Sequence, residues 1–238
     1  QWIDYALGES NNSAANQLLS FLGDGSVDVG TARFTAFMRE LGLHSTYMQS
    51  GYDAQVQLAP ISTPGNQRTD WNTNPDSNLQ TTTEEMGLIM AAIYECTQGK
   101  GLLIDTFGDR ITPDECLSLL FYMSHDEFQE LVWAGLPRPG SAWIVHKHGF
   151  AYESHSDVAL VWGPTGPYVI SIFLYREGWM DWFNSNTAMK TISRITWNFF
   201  DFQRQQNGMT TPVAFILEPP PGYTQLHSYI KVASTGFR

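Results

Sequence analysis

Residues 143–150, Trp-Ile-Val-His-Lys-His-Gly-Phe, constrain the fold of this chain more than any other stretch. The run is apolar enough for a buried strand, yet it sets Lys147 between His146 and His148 and closes on Gly149 and Phe150. The sequence holds only four lysines, and a cation in a strand is costly unless something anionic uses it. Two further strand signals follow at 157–162 (Asp-Val-Ala-Leu-Val-Trp) and 168–175 (Tyr-Val-Ile-Ser-Ile-Phe-Leu-Tyr). The turn cluster Gly163-Pro164-Thr165-Gly166-Pro167 separates them. Short loops between apolar strands make antiparallel neighbours, so 142–175 is expected to be a three-stranded meander with the lysine strand reachable at an edge. Three strands do not close a core alone, and helices from the rest of the chain must cover them.

At 238 residues, 42% hydrophobic and 16% charged, the chain has the composition of one large globular domain or two small ones. A net charge of −11 argues against a nucleic-acid partner, which needs a basic face for phosphate. No apolar run reaches membrane-spanning length. Cys96 and Cys116 fit neither a zinc motif nor a disulfide framework. On two predicted helices they are either one bridge in an oxidising compartment or two buried thiols. The sequence opens on Gln1 and reads as helix at once, with no room for a signal peptide, so a preceding segment is expected to be missing.

Trp2, Ile3, Tyr5, Ala6 and Leu7 form a first helical segment, and Glu9-Ser10-Asn11-Asn12 interrupts it. That cluster is a natural cap for a second helix from Ser13 to Leu22. A third is expected to start at Thr31, carry Phe34, Phe37, Met38 and Leu41 on one face, and end at Gly42. From Tyr52 to Gln80 periodicity fails, and a loop of that length is usually functional or mobile. Thr83-Glu84-Glu85 opens a helix with Met86, Ile89, Met90 and Ile93, stopped by Gly99. Thr112-Pro113-Asp114-Glu115 is a strong start for another, with proline at the first position. A further turn is expected near His125–Leu131, ahead of the Pro137-Arg138-Pro139-Gly140 turn. The last helix, Asp181–Gln206, carries an aromatic and aliphatic stripe (Phe183, Ile192, Ile195, Phe199, Phe202) that reads as core covering the sheet. These elements divide the chain into a helical part (1–140, with the 52–80 loop), strands plus terminal helix (141–208), and an extension (209–238) broken at Pro219-Pro220-Pro221-Gly222.

Ser10-Asn11-Asn12 and Lys147-His148-Gly149 resemble the second and third signatures, S-x-N and K-[T/S/H]-G, of the serine β-lactamase and penicillin-binding protein superfamily. The stretch Ser10-Asn11-Asn12-Ser13-Ala14-Ala15-Asn16-Gln17-Leu18-Leu19 is similar to the class A pattern S-D-N-T-A-A-N-x-L-L. Phe37-Met38-Arg39-Glu40-Leu41-Gly42 and Thr81-Thr82-Thr83 with Met86 resemble later helices of that family. The resemblance covers roughly residues 1–206. It implies an α/β (α+β) fold of the β-lactamase/transpeptidase type, a helical subdomain on an antiparallel sheet with a flanking terminal helix. It also implies a serine hydrolase acting through an acyl-enzyme on β-lactams or D-Ala-peptide-like amides, without cofactor and outside the cytoplasm. By resemblance Ser10 relays a proton to the leaving nitrogen, and Lys147 lowers the cost of that transfer. Asn12 bonds the substrate's side-chain amide, and His148 donates to its carboxylate. Gly149 and Phe150 continue the substrate wall, with the Phe150 backbone N–H as half of an oxyanion hole.

The pattern is incomplete in this sequence. The nucleophile motif S-x-x-K and the first two strands should precede Ser10 and do not. The nucleophile is therefore expected on a missing N-terminal portion, itself a partner, and the chain alone is expected to be inactive. Ser228-Tyr229-Ile230-Lys231 spells S-x-x-K, but no long buried helix follows it and it reads as coincidence. Tyr52–Gln80 contains no glutamate to activate a deacylating water, which leaves Asp70 as candidate base, with Asp53 and Asp76 behind it. His146, His148 and His155 invite a zinc site, but no third ligand geometry can be derived and no metal is expected. Two other functions fit the same residues: a non-catalytic binding module of this fold, and an esterase of the superfamily. The plain alternative is a helix cap at Ser10-Asn11-Asn12 and a lysine snorkelling from an edge strand.

Overall fold

A computed structural model describes residues 1–52, 54–70, 73–126, 128–137 and 143–210, together with 217, 219–221 and 223. Asp53, the Arg138–Gly140 part of the expected turn, Ser228 to Lys231 and most of the 209–238 extension lie outside the described residues.

Helices α1 (Trp2–Leu7), α2 (Asn12–Leu22) and α3 (Val27–Glu40) form the first unit. The Asn11 side chain caps α2 by accepting from the Ala14 N–H at 2.9 Å. Helix α3 begins at Val27, not at Thr31, because Ser26 caps it by accepting from the Val29 N–H. Gly30 reads as a breaker in sequence but sits inside α3. A Cβ there would collide with the Leu19 carbonyl of α2, so the glycine is what lets the two helices touch.

Two short strands, β1 (Tyr47–Met48) and β2 (Leu79–Gln80), pair antiparallel and close the ends of the long loop. They are too short to show a period in sequence. Helix α4 (Thr83–Cys96) is capped by Thr82, α5 (Leu102–Phe107) follows a Gly101 turn, and α6 (Pro113–Met123) starts in a capping box between Thr112 and Glu115. Cys96 and Cys116 are bonded to each other, tying α4 to α6. The expected turn at 125–131 is displaced to α7 (Val132–Gly135), whose first N–H is held by a distant strand carboxylate, Asp157, at 3.1 Å.

Strands β3 (Trp143–Phe150), β4 (Ser154–Gly163) and β5 (Gly166–Tyr175) form the expected antiparallel meander in the order β3-β4-β5, with β3 at an edge. Lys147 lies opposite Val158, and His148 opposite Asp157. Alternation sends Val145, Val158, Leu160 and Trp162 to one face, against Met90 of α4 and Leu120 and Met123 of α6, with Leu217 of the extension. Ile144, Ala159, Val161 and Ile172 face the other way, onto Val132 of α7 and Met189 and Trp197 of α8 (Trp182–Gln206).

The stripe expected to be the core of α8 is not buried. Phe183, Ile192, Ile195, Phe199 and Phe202 are 39–75% exposed, while Ser185, Met189, Ser193 and Trp197 face inward. The reason is close approach: Ser193 donates to the Val132 carbonyl at 2.7 Å, and Gly135 rests on the same serine. Small residues are selected where two backbones nearly touch, and the larger apolar flank is left over. Strand β5, with no charged residue along its length, has β4 as its sole partner among the described residues.

Candidate active site

Ser10 stands in the turn between α1 and α2 with φ at 55°, a left-handed backbone that few residues other than glycine adopt. The turn is over-determined. The Asn11 N–H donates to the Tyr5 carbonyl at 3.0 Å while its side chain caps α2, and Gly8 packs against the Asp4 and His125 carbonyls. Strain held this firmly fixes where the Ser10 hydroxyl points. From the sheet side, the Lys147 Nζ donates to the Ser10 Oγ at 2.8 Å. Two residues 137 positions apart thus meet in one cleft between helices and strand. A helix cap and a snorkelling lysine have no reason to meet.

Lys147 also donates to the His148 carbonyl at 3.2 Å and lies 3.5 Å from Asp126 Oδ2. Burial lowers the lysine's pKa below its usual value, and the Asp126 charge opposes that shift without cancelling it. Asp126 is the hub that sequence reading missed. Its side chain is 1% exposed, its Oδ2 lies 2.8 Å from His148 Nδ1, and its Oδ1 accepts from the Phe128 N–H at 3.0 Å. Burial pushes this carboxyl upward, but the His148 bond and the charges of His146 and Lys147 hold it below the ordinary range. In sequence nothing sets it apart: it stands in the polar run Ser124-His125-Asp126-Glu127 just after α6.

The three histidines diverge. His146 Nδ1 lies 3.0 Å from Asp157 Oδ1, with both side chains fully buried. Burial lowers the His146 pKa, but Asp157 and Asp126 outweigh it and the net shift is upward. His155 bonds Ser185 Oγ at 2.6 Å. Among the described residues no cluster of three His, Cys, Asp or Glu side chains is arranged to hold a metal ion.

Asn12 is exposed at the first position of α2, two residues from Ser10. Gly149 sits where a Cβ would come within 2.9 Å of Ser156 Oγ, and Phe150 is 45% exposed at the end of β3. One helical turn beyond Asn12, Asn16 accepts from the Tyr52 N–H at 2.9 Å and so moors the start of the long loop to the same helix. Asp70 is not drawn into this group. It is a surface residue whose carboxylate is taken up by Arg68, Nε to Oδ1 2.9 Å, and that hydrogen bond holds its pKa low. Asp76 is spent on its own turn, accepting from the Asn78 N–H at 2.6 Å.

A model of the Beta-lactamase enzyme family matches residues 1–201. A β-lactamase of Mycobacterium tuberculosis is 29% identical over 181 residues, which are 75% of this chain and 49% of that protein; one of Mycobacterium bovis matches equally. The chain thus spans about half the length of the curated relatives it matches. Among solved structures, a variant of the class A β-lactamase of the last common ancestor of Gram-negative bacteria superposes with a TM-score of 0.60 at 23% identity, covering 84% of this chain and 63% of that one. The structure of PBP-A gives 0.60 at 20% identity, over 84% and 60%. These likenesses make the fold that of the β-lactamases and transpeptidases. With its helices, antiparallel sheet and matched length taken together, the chain belongs to the beta-lactamase enzyme family.

Proposed function

We propose that this chain forms the proton-transfer wall of a serine hydrolase acting on β-lactams or D-Ala-peptide-like amides, with the acyl-accepting serine on polypeptide preceding Gln1. The observation that carries the reading is the 2.8 Å hydrogen bond from Lys147 to Ser10. When a serine attacks the amide carbonyl, the departing nitrogen needs a proton. Ser10 passes its own to that nitrogen and regains one from the attacking side, and the Lys147 ammonium stabilises the charge that builds on its oxygen. Asn12, at the mouth of the same cleft, bonds the substrate's amide, and the Phe150 N–H supports the carbonyl oxygen. The edge of β5, which has no strand partner other than β4 among the described residues, and the exposed stripe on α8 support a further piece of the fold lying against them. The Cys96–Cys116 bond supports a location outside the cytoplasm.

The test is labelling with a fluorescent penicillin, read by intact mass and peptide mapping, on this chain and on the protein extended by the polypeptide encoded before Gln1. An adduct on an upstream serine of the longer protein, lost in Lys147→Ala, is the expected result. An adduct on Ser228 of this chain would move the nucleophile to the C-terminal extension. No adduct on either protein would leave a binding module.

A further inference from the structure

Beyond the β-lactam reading, we propose that His148 and Asp126 form a general-base pair able to hydrolyse small activated esters at the open end of β3. A carboxylate only accepts hydrogen bonds, so in the 2.8 Å contact between His148 Nδ1 and Asp126 Oδ2 the ring nitrogen is the donor. The neutral imidazole then carries its proton on Nδ1 and presents the Nε2 lone pair. Among the described residues His148 Nε2 has no hydrogen-bond partner, and the His148 side chain is 9% exposed, unlike that of His146, which is fully buried with its Nε2 unpartnered. Buried Asp126 thus fixes tautomer and ring orientation and stabilises the imidazolium that forms, the two services a carboxylate renders a catalytic histidine.

The ring is also clamped. Phe128 lies 4.8 Å from it and Phe150 5.0 Å, centre to centre, and Phe150 leans on Trp182 at 4.9 Å. With Phe150 45% exposed, the His148 ring adjoins an apolar wall open to solvent, suited to a flat acyl or aryl group. The charged neighbours are Lys147, which shares the Asp126 oxygen at 3.5 Å, and the His146–Asp157 pair on the adjoining stretch of sheet. The contact of His155 with Ser185 offers no such opening. Both residues are buried, and the Ser185 hydroxyl donates to the Trp182 carbonyl.

In the reaction a water oxygen attacks the ester carbonyl carbon while its proton passes to His148 Nε2. The tetrahedral adduct collapses, the bond from carbonyl carbon to ester oxygen breaks, and the leaving oxygen departs as phenolate or takes the proton back from Nε2. Ester and water become acid and alcohol, with nothing oxidised or reduced.

The experiment is release of nitrophenolate from p-nitrophenyl acetate by the full 238-residue chain. Turnover above buffer is expected, falling about 100-fold or to the buffer rate in His148→Gln. Exchange of the exposed His44 for glutamine should leave it unchanged. Asp126→Asn should lower kcat at constant KM, and Asp126→Glu should recover part of it, with thermal melts showing that each variant is folded. Release at the buffer rate, release indifferent to His148→Gln, or release that follows Ser10→Ala instead would overturn the proposal. Penicillin labelling is scored separately. Ester turnover with no labelling of the protein extended before Gln1 keeps this inference and removes the β-lactam reading, and labelling of that longer protein without His148-dependent turnover does the reverse.

Discussion

Replacing Asp157 by asparagine keeps the side chain's shape and removes the charge facing His146. Both groups are 0% exposed and 3.0 Å apart. Losing one partner of a buried ion pair costs about 3–5 kcal/mol, because the other charge stays buried without compensation. Asparagine still offers an oxygen to the Val132 N–H, the second bond Asp157 makes, so the lower end, about 3 kcal/mol, is expected. At roughly 2–4 °C per kcal/mol for a chain of this size, the melt should fall by about 6–12 °C. The pH dependence has a definite sign. His146 has a folded pKa raised above its unfolded value of about 6.5, so the pair's contribution is full below that value and is lost as pH rises through the folded one. The difference between wild type and Asp157→Asn should therefore be widest near about pH 6 and shrink in alkaline buffer. Urea unfolding followed by circular dichroism at several pH values measures it. A difference under about 1 kcal/mol at the acid end, or one that grows with pH, would refute the charged pair.

Lys147→Ala in a complete, acylating form should slow acylation by about 100- to 1,000-fold while costing about 1 kcal/mol of stability or less. Lys147→Arg should fail too, since a planar guanidinium does not fit the place of a compact ammonium; a wild-type rate in either variant would remove the residue from the mechanism. Reducing the Cys96–Cys116 bond, which spans 20 residues, should cost about 3 kcal/mol, and identical melts with and without reductant would contradict that. Asp126 has a depressed pKa, so its contribution is present above the ordinary carboxylate value near 3.8 and lost as pH falls through the folded one. Asp126→Asn should flatten the acid limb of the stability curve, and an unchanged limb would mean that the carboxylate is not the acid-sensitive group.

The parts of this molecule legible in sequence are those set by local chemistry. The meander of 143–175 follows from alternation and a glycine-proline turn, and α6 from a capping box written in four consecutive residues. The meeting of Ser10 with Lys147 was legible only because two motifs carried it together; neither triplet has a local reason to find the other. What could not be read depends on distant partners. The α7 helix is held by Asp157, 25 positions away, and Gly30 belongs inside α3 because it rests on Leu19 of α2. The α8 stripe misled because hydrophobicity does not say which of two apolar flanks meets the sheet, and close backbone approach favoured the serines. Asp126 was overlooked because one acid among several polar residues after a helix becomes a hub only once β3 is laid beside it.

The charge at this cleft is set against that of the whole molecule. Lys147, 23% exposed and balanced by Asp126, stands in a chain whose net charge is −11. An anionic ligand therefore meets repulsion while still distant and attraction only at contact. Dissolved ions screen beyond roughly 8 Å at physiological ionic strength, weakening the repulsion first and the contact pairing least. Salt usually slows encounters between oppositely charged partners. Here it should speed the approach of an anion, so the cleft's arrival rate, more than its grip, would depend on the ionic strength around it.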